Sequence, residues 1–541
     1  MITKRKLNIP IGETLPSILK YLQENGFPCY IAGGAVRDVL LNIEPKDIDI
    51  EVYNIDFETL NRVLSMYGEV IGGDSLGKSF SAIKFKDSEG NYFDFTLPRR
   101  DTKTGDKHTD FTIEVDKNMS LKEACSRRDF TINSMLYDYS SEEIIDYFSG
   151  QVHIKDRILK ATSLDTFSED KLRVLRGMQF FCRFNLSIED STLELCRELA
   201  KAEELYKTET NPDGISKERV TEEWMKLLTK ASHPGKLIPY LEMTGWIKYF
   251  PEIQAIIGIE QSPEFHPEGN CDIHTELVTN EARVIADLRN LEGDARVVYI
   301  LAGLCHDLGK ATTTIIKDGK ISSPKHAIEG TVVTLSLLES IGIKKSIIEQ
   351  VIPLVQFHMC HFETNSYETA SKQIRRLSNN LHPANIQQLY DLVWADHSGR
   401  HPLPKEAPIT MKRLLAAAIN QKILLNKPTN LLTGNDVIPY YQNLPGPHIG
   451  TVLTNAYQAY LDNKFSTRQE ALTWMDNYLR KELQFISGKD LLPYFDNKPN
   501  VEIGEILEKM WRFQKKAIYS NRNEALKYLS HSFKFIRALK S

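Results

Sequence analysis

Two aspartates one residue apart, Asp47 and Asp49 in "KDIDIEVY", are the first side chains whose types and spacing could do chemistry. In an extended strand, residues i and i+2 face the same side about 7 Å apart at Cα, so the two carboxylates converge while Ile48 and Ile50 face the core. Carboxylates so placed can hold two Mg²⁺ ions about 3.5–4 Å apart, which activate a hydroxyl and neutralise a departing phosphate. An alternating strand with its polar side in water has the same pattern, so the pair needs partners. Asp94, in "YFDFTLPRR", sits on another alternating segment and is the candidate third carboxylate. Upstream, "YIAGG" reads as a buried strand and "AVRDVLL" as the helix after it. The glycine pair between them lets a phosphate approach bare backbone N–H groups at the start of that helix, although most such pairs only make the turn.

Two further clusters supply what a nucleotide needs. "CSRRDFTINSML" places Arg127, Arg128 and Asp129 ahead of an apolar segment, offering guanidinium forks for a triphosphate and a polar group for a ribose. "FSEDKLRVLRGMQFFCRF" spaces Asp170, Arg173 and Arg176 at i, i+3 and i+6, which predicts one polar stripe on a helix. A surface ion-pair ladder has the same spacing.

A second constellation lies downstream. His274 in "DIHTELV", His306 and Asp307 in "LCHDLGK", and Asp396 in "WADHSGR" match the ordered H…HD…D ligands of HD-type metal phosphohydrolases, which this region resembles; His326, His358 and His361 are candidates for a second ion or a phosphate contact. Imidazoles with carboxylates suit borderline divalent ions such as Mn²⁺, Ni²⁺, Fe²⁺ or Zn²⁺, at which water becomes a nucleophile near neutral pH.

These groups need positioning elements. Up to about residue 150, strand-like and helix-like patterns alternate, which predicts an α+β unit on a mixed sheet. From Ser163 the periodicity is helical, broken at "TNPDG" (210–214), "SPEFHPEGN" (262–270) and "HPLPKEAP" (401–408). Near the end, "LTGNDVIPYYQNLPGPHIGTVL" (432–453) matches "ISGKDLLPYFDNKPNVEIGEIL" (486–507) at an offset of 54, pairing Gly434 with Gly488 and Asp436 with Asp490. A duplicated helical unit follows.

The chain's 541 residues suit three or four domains of ordinary globular composition, with 41% apolar and 26% charged residues. Neither a signal-like leader nor an apolar run of about 18 residues occurs, which points to a cytoplasmic protein with no membrane segment. Seven cysteines without a C-x-x-C pair read as reduced, mostly buried thiols. The net charge of −5 is uneven: residues 402–541 carry 20 Lys and Arg against 12 Asp and Glu, a surplus of eight. A basic tail on an acidic body suits a polyanion held at one end, or simply a solvated helical surface.

In their order, "GGAVRDVLL…DIDIE", "RRDFTIN", "EDKLRVLR" and "GISKERVTEEWMKLL" make residues 25–250 resemble the class II CCA-adding tRNA nucleotidyltransferases and related bacterial poly(A) polymerases of the DNA polymerase β superfamily. The resemblance implies a polymerase-β-like nucleotidyltransferase head (1–160), an all-α neck and body (161–262), an all-α HD-type phosphohydrolase domain (263–401) and a basic helical, tRNA-binding tail (402–541). It implies Mg²⁺ at Asp47 and Asp49, triphosphate contacts at Gly34, Arg37 and Arg128, and a base-reading pair, Asp170 and Arg173, supported by Arg176. Arg219 and Glu222 fall in the family's neck motif, and 101–111 takes its flexible-loop position. tRNA, CTP and ATP are the implied partners. The HD region resembles domains that hydrolyse cyclic phosphates, 2′-nucleotides or phosphomonoesters. Gln179, His153 and Lys160 depart from the family pattern and keep open a poly(A) polymerase, a CC- or A-adding enzyme, or a protein whose main activity is the HD hydrolase.

Overall fold

A computed structural model of the chain describes residues 2–71, 82–103, 111–116, 119–208, 210–212, 214–441, 445–495, 501–515, 518 and 521–540. Residues 104–110, most of the expected flexible-loop position, lie outside the described residues. Two compact units divide the chain: Met1–Met359 with Gln388–Pro408, and Cys360–Gln387 with Ile409–Ser541.

The first unit begins with a mixed sheet, as its alternating patterns predict. Its strands are β1 (Ile2–Lys4), β2 (Cys29–Ala32), β3 (Asp49–Val52), β4 (Gly68–Ile71), β5 (Ala82–Asp87) and β6 (Tyr92–Thr96). β7 (Arg99–Lys103) and β8 (Phe111–Val115) form a separate ribbon before β9 (Leu136–Asp138) and β10 (Glu143–Ile145) rejoin the sheet. The order is β1-β10-β9-β2-β3-β6-β5-β4, antiparallel except for the β3–β6 pair. Alternation fixes the faces of that pair. Ile50, Val52, Phe93 and Phe95 enter the core, while Asp49, Glu51 and Asp94 stay half-buried on the other side. The parallel register sets Asp49 against Asp94.

Helices dominate the remainder. Leu172–Phe184 and Lys217–Lys230 pack together. Cys271–Leu288, Gly293–Cys305, His326–Ser340, Lys345–Phe357 and Ile386–Ser398 make the histidine-bearing region, in which a short hairpin, Ile315–Lys317 with Lys320–Ser322, interrupts the expected all-α run.

The second unit pairs helix Tyr367–Leu381 with Ile409–Asn420 and then shows the duplication in three dimensions. Thr433 and Asp436 form a capping box that recurs at Ser487 and Asp490. Arg468 bridges Asp436 and the Leu431 carbonyl; Arg522, 54 residues on, bridges Asp490 and the Phe485 carbonyl. The copies pack on each other through Trp511 of the second, which is buried in the core of the first. Asp476 accepts from Tyr440 at 2.8 Å, Trp511 at 3.1 Å and Lys515 at 2.6 Å.

All seven cysteines are free and six are buried. Among the described residues, no helix is long and apolar enough to cross a membrane.

Candidate active site

A cleft of about 410 Å³, within the range of small-molecule sites, opens in the first unit. Its lining includes Gly34, Arg37, Asp49 and Arg128, Asp129 and Asn133, and Asp170, Arg173, Arg176 and Arg219. Five guanidinium groups around three carboxylates make a site for an anion that also carries hydrogen-bonding edges.

Of the three aspartates expected to bind metal, Asp49 is the one that lines the cleft. Burial pushes its carboxyl above the ordinary range against the pull of Arg128, and Asp94, Asp47 and Glu51 add to the rise. The expectation of one strand carrying both aspartates needs correction, because β3 starts at Asp49 and Asp47 lies exposed just before it. The lead-in is still pinned: the Ile48 carbonyl accepts from the Asp94 N–H at 3.1 Å. Asp47 and Asp94 do not line the cleft, and the three carboxylates do not draw their oxygens into one group within 4.8 Å. Their donor set is all oxygen, which suits Mg²⁺, and the repulsion that raises Asp49 is what a divalent cation relieves.

Gly33 makes the approach possible. Its φ of +61° favours glycine, and a Cβ there would run into Arg128 Nη1. Arg128 can then lie over the turn, with Nη2 2.8 Å from Glu51 Oε1 and Nη1 donating to the Asn133 carbonyl at 3.4 Å. Arg37 lines the cleft but is buried, donating to Asp38 and Asn133 and facing the Phe184 ring at 4.9 Å. Asp129 accepts from Asn133 Nδ2 at 3.0 Å and from Arg176 Nε at 2.8 Å. Burial alone would raise its carboxyl, but Arg176, Asn133 and the Phe130 N–H hold it below the usual range.

The expected helical stripe is realised in part. Helix Leu172–Phe184 carries Arg173 and Arg176, whereas Asp170 precedes it, accepting from the Leu172 N–H at 3.1 Å and from Arg219 Nη2 at 2.6 Å. Arg173 donates to the Thr166 and Arg127 carbonyls, at 2.5 and 2.9 Å, which leaves three of its five N–H groups for a ligand. Glu222 is exposed; Glu223 is the buried carboxylate of helix Lys217–Lys230, 3.8 Å from Arg176 and 2.8 Å from Lys226. Its four-residue distance from Arg219 is the signal that both share a face. Asn133, which ties Arg37, Arg128 and Asp129 together, was not singled out by any spacing.

The second constellation does come together. His274, His306, Asp307, His326, His358 and Asp396 are all buried, in two sets whose donor atoms lie within 4.8 Å: His274–His306–Asp396 and Asp307–His326–His358. Asp307 joins them, with Oδ2 3.2 Å from His306 Nε2 and Oδ1 3.3 Å from His326 Nε2. The Nδ1 atoms of His306, His326 and His358 face the carbonyls of Gly303, Ser323 and Val355 at 2.7–2.8 Å. A donating Nδ1–H leaves a lone pair on each Nε2, yet His326 and His358 bring those atoms within 3.1 Å of each other. Inward lone pairs with outward N–H bonds are the arrangement of metal-ligating imidazoles. Burial, with His326 and His306, lowers the His358 pKa to about 3, so it stays neutral as a ligand must.

Other members of this centre were not anticipated. Lys310 lies 2.6 Å from Asp307 Oδ2, and Arg400 Nη2 2.7 Å from Asp396 Oδ2, at helical spacings of three and four residues. His266 and Glu268 form a third set with His274. His361 belongs to the second unit, where its Nδ1 meets Thr410 Oγ1 at 2.9 Å, and it joins none of these sets.

Residues 29–160 match the family described as the poly(A) polymerase head domain. The chain is 31% identical over 379 residues to the multifunctional CCA protein of Pasteurella multocida, covering 69% of this chain and 84% of that protein. It is 29% identical over 454 residues to that of Xanthomonas campestris pv. campestris strain B100, covering 81% and 99%. Its fold is similar to the crystal structure of Bacillus stearothermophilus CCA-adding enzyme in complex with CTP, with a TM-score of 0.55 at 18% identity over 87% of this chain and 98% of that one. Thermotoga maritima CCA-adding enzyme complexed with tRNA is similar as well, with a TM-score of 0.53 at 18% identity over 86% and 94%. With its mixed-sheet head, helical remainder and arginine-lined cleft, the chain belongs to the multifunctional CCA protein family and is a nucleotidyltransferase.

Proposed function

We propose that the chain builds and repairs the 3′-terminal CCA of tRNA from CTP and ATP, without a nucleic-acid template, in the cytoplasm. The observation that carries this is the cleft itself, in which Asp49 and five arginines face one small-molecule volume in a chain of this family. Arg128 and Arg37, with the Gly34 backbone, are assigned to the triphosphate. Asp170 and Arg173 are assigned to the Watson–Crick edge of the base: the carboxylate accepts from an exocyclic amine and the guanidinium donates to a ring nitrogen or carbonyl. Arg176, clamped by Asp129 and Glu223, keeps that side of the cleft in place.

Asp47 and Asp49, with Asp94, are assigned to Mg²⁺, which when bound lowers the pKa of an attacking hydroxyl and stabilises charge on phosphate oxygens. The tRNA 3′ oxygen bonds the α-phosphorus, the bond to pyrophosphate breaks, and the hydroxyl proton is lost to solvent. Incubating the protein with tRNA that lacks CCA and with labelled CTP and ATP tests this, the expected product being tRNA longer by three nucleotides. Long oligo(A) on unrelated RNA would instead favour a poly(A) polymerase.

The converging Nε2 atoms favour a second activity. We infer a phosphohydrolase centre in which His274, His306 and Asp396, and His326 and His358, with Asp307 between them, hold divalent ions such as Mn²⁺, Ni²⁺, Fe²⁺ or Zn²⁺. Lys310 and Arg400 hold the two acidic ligands in place. Hydrolysis of cyclic phosphates or phosphomonoesters that depends on His306 and Asp307 but not on Asp49 is the expected result. In this scheme 1–160 transfers nucleotides, 161–262 reads the base, 263–401 hydrolyses and 402–541 holds RNA.

A further inference from the structure

The loop from Ser262 to Asn270, which composition marks as a break between domains, carries two side chains into the histidine centre. The Glu268 side chain is 1% exposed, and within 4 Å its ion-pair partners among the described residues are two imidazoles, His274 Nδ1 at 2.7 Å and His266 Nδ1 at 2.9 Å, both facing the same oxygen, Oε1. A buried glutamate whose close partners include no lysine or arginine is costly unless it serves another group. The loop is built to hold it there. The Phe265 and His266 N–H groups donate to the Ser262 carbonyl, the Gly269 N–H to that of His266, and the Cys271 N–H ties the loop's end to Ile259. Gln261 binds the Gly269 carbonyl through Nε2 and Lys310 through Oε1.

His274 differs from the other three imidazoles in one respect. Theirs are turned by backbone carbonyls, whereas its Nδ1, buried without an aligned hydrogen bond, lies 2.7 Å from a side chain, the Glu268 carboxylate. Its Nε2 meets Asp396 Oδ1 at 3.2 Å and Asp307 Oδ2 at 3.6 Å. Whatever orients Nδ1 therefore decides whether Nε2 offers a lone pair to the centre or a proton to a carboxylate.

We propose that Glu268 is the positioning residue of this metal centre: its Oε1 is the acceptor for the His274 Nδ1–H, which fixes the tautomer with Nε2 as acceptor and so sets divalent-ion affinity from the loop. His266 shares the same oxygen from the other side. The proposal rests on the phosphohydrolase reading above, and the experiment separates the two. Co²⁺ affinity of metal-free full-length protein is measured by competition with a chromophoric chelator for wild type, His274→Ala, Glu268→Ala, Glu268→Gln and His266→Ala, with thermal melting of each.

Wild type binds, His274→Ala loses affinity, and Glu268→Ala loses about 10- to 100-fold, the usual effect of removing a ligand's carboxylate partner. Glu268→Gln, which keeps an acceptor oxygen, recovers much of the loss, and His266→Ala stays near wild type. If Glu268→Ala proves unfolded, the Glu268→Gln and His266→Ala pair still decides, because a glutamine as weak as His274→Ala contradicts an acceptor role. Affinity unchanged in Glu268→Ala while His274→Ala fails overturns the proposal alone. A wild-type protein that binds no Co²⁺ removes the metal centre and the proposal together.

Discussion

Asp49 is where opposing demands meet: its strand buries it beside three other acidic groups, and Arg128 alone pulls the other way. Such a carboxylate is matched to a cation. Replacing Asp47 and Asp49 with asparagine removes the charge at constant shape, and nucleotide incorporation is expected to fall by roughly 10²–10³-fold or more, as when a main electrostatic element of a site is deleted. Binding of tRNA measured by filter retention stays unchanged; normal incorporation by the double variant would contradict the assignment. Asp129 also ties Asn133 to Arg176 in the cleft wall, and its depressed pKa gives a sign. Because the folded state favours its ionised form, its contribution is present above the usual carboxylate range near pH 4 and is lost as pH falls below it. Asp129→Asn should cost roughly 1–3 kcal/mol at pH 7, between the values for exposed and buried pairs, since Arg176 is partly exposed. The difference in melting temperature from wild type should close only below about pH 4.

The turn at Gly33 and the helix Lys217–Lys230 show what the elements add. Gly33→Ala places a left-handed alanine and a methyl against Arg128, so a destabilisation of at least about 1–2 kcal/mol is expected, with a higher KM for CTP and an unaltered affinity for tRNA. A KM equal to wild type would show that the arginine does not need this approach. Alternation and glycine pairs made the sheet legible, as Ile50, Val52, Phe93 and Phe95 alternate with the acidic side chains of the site. Helical spacing foresaw Arg173 and Arg176 but overextended the helix to Asp170, because that residue turns aside to the Leu172 N–H and a tertiary pair with Arg219, which periodicity cannot see. Glu223 was hidden for a similar reason: an acidic pair on a polar helix gives no sign of which member is buried.

Charge at the scale of the whole molecule is divided more finely than a basic tail suggests. The first copy of the repeat, 432–485, has 4 Lys and Arg against 5 Asp and Glu, while the second, 486–539, has 10 against 6. If the tail holds RNA, the second copy carries the surface. Reversing Lys509, Arg512 and Lys527, all exposed, to glutamate should raise KM for tRNA more than that for CTP and flatten its salt dependence; equal effects on both would refute it. Truncation at 402 is a poorer test, because it would strip helix Tyr367–Leu381 of its partner Ile409–Asn420. The grouping of Cys360–Gln387 with the second unit was invisible in the chain, since Pro and Gly clusters mark where it bends and not where it packs. The same blindness made the 262–270 loop look like a linker, although it carries His266 and Glu268. The central claim concerns the product, and sequencing the 3′ ends of tRNA lacking CCA after incubation with CTP, ATP and Mg²⁺ tests it most directly. The account predicts tRNA ending in CCA with wild type and the unextended end with the Asp47→Asn, Asp49→Asn variant; unextended ends with wild type, or equal extension by both, would contradict it.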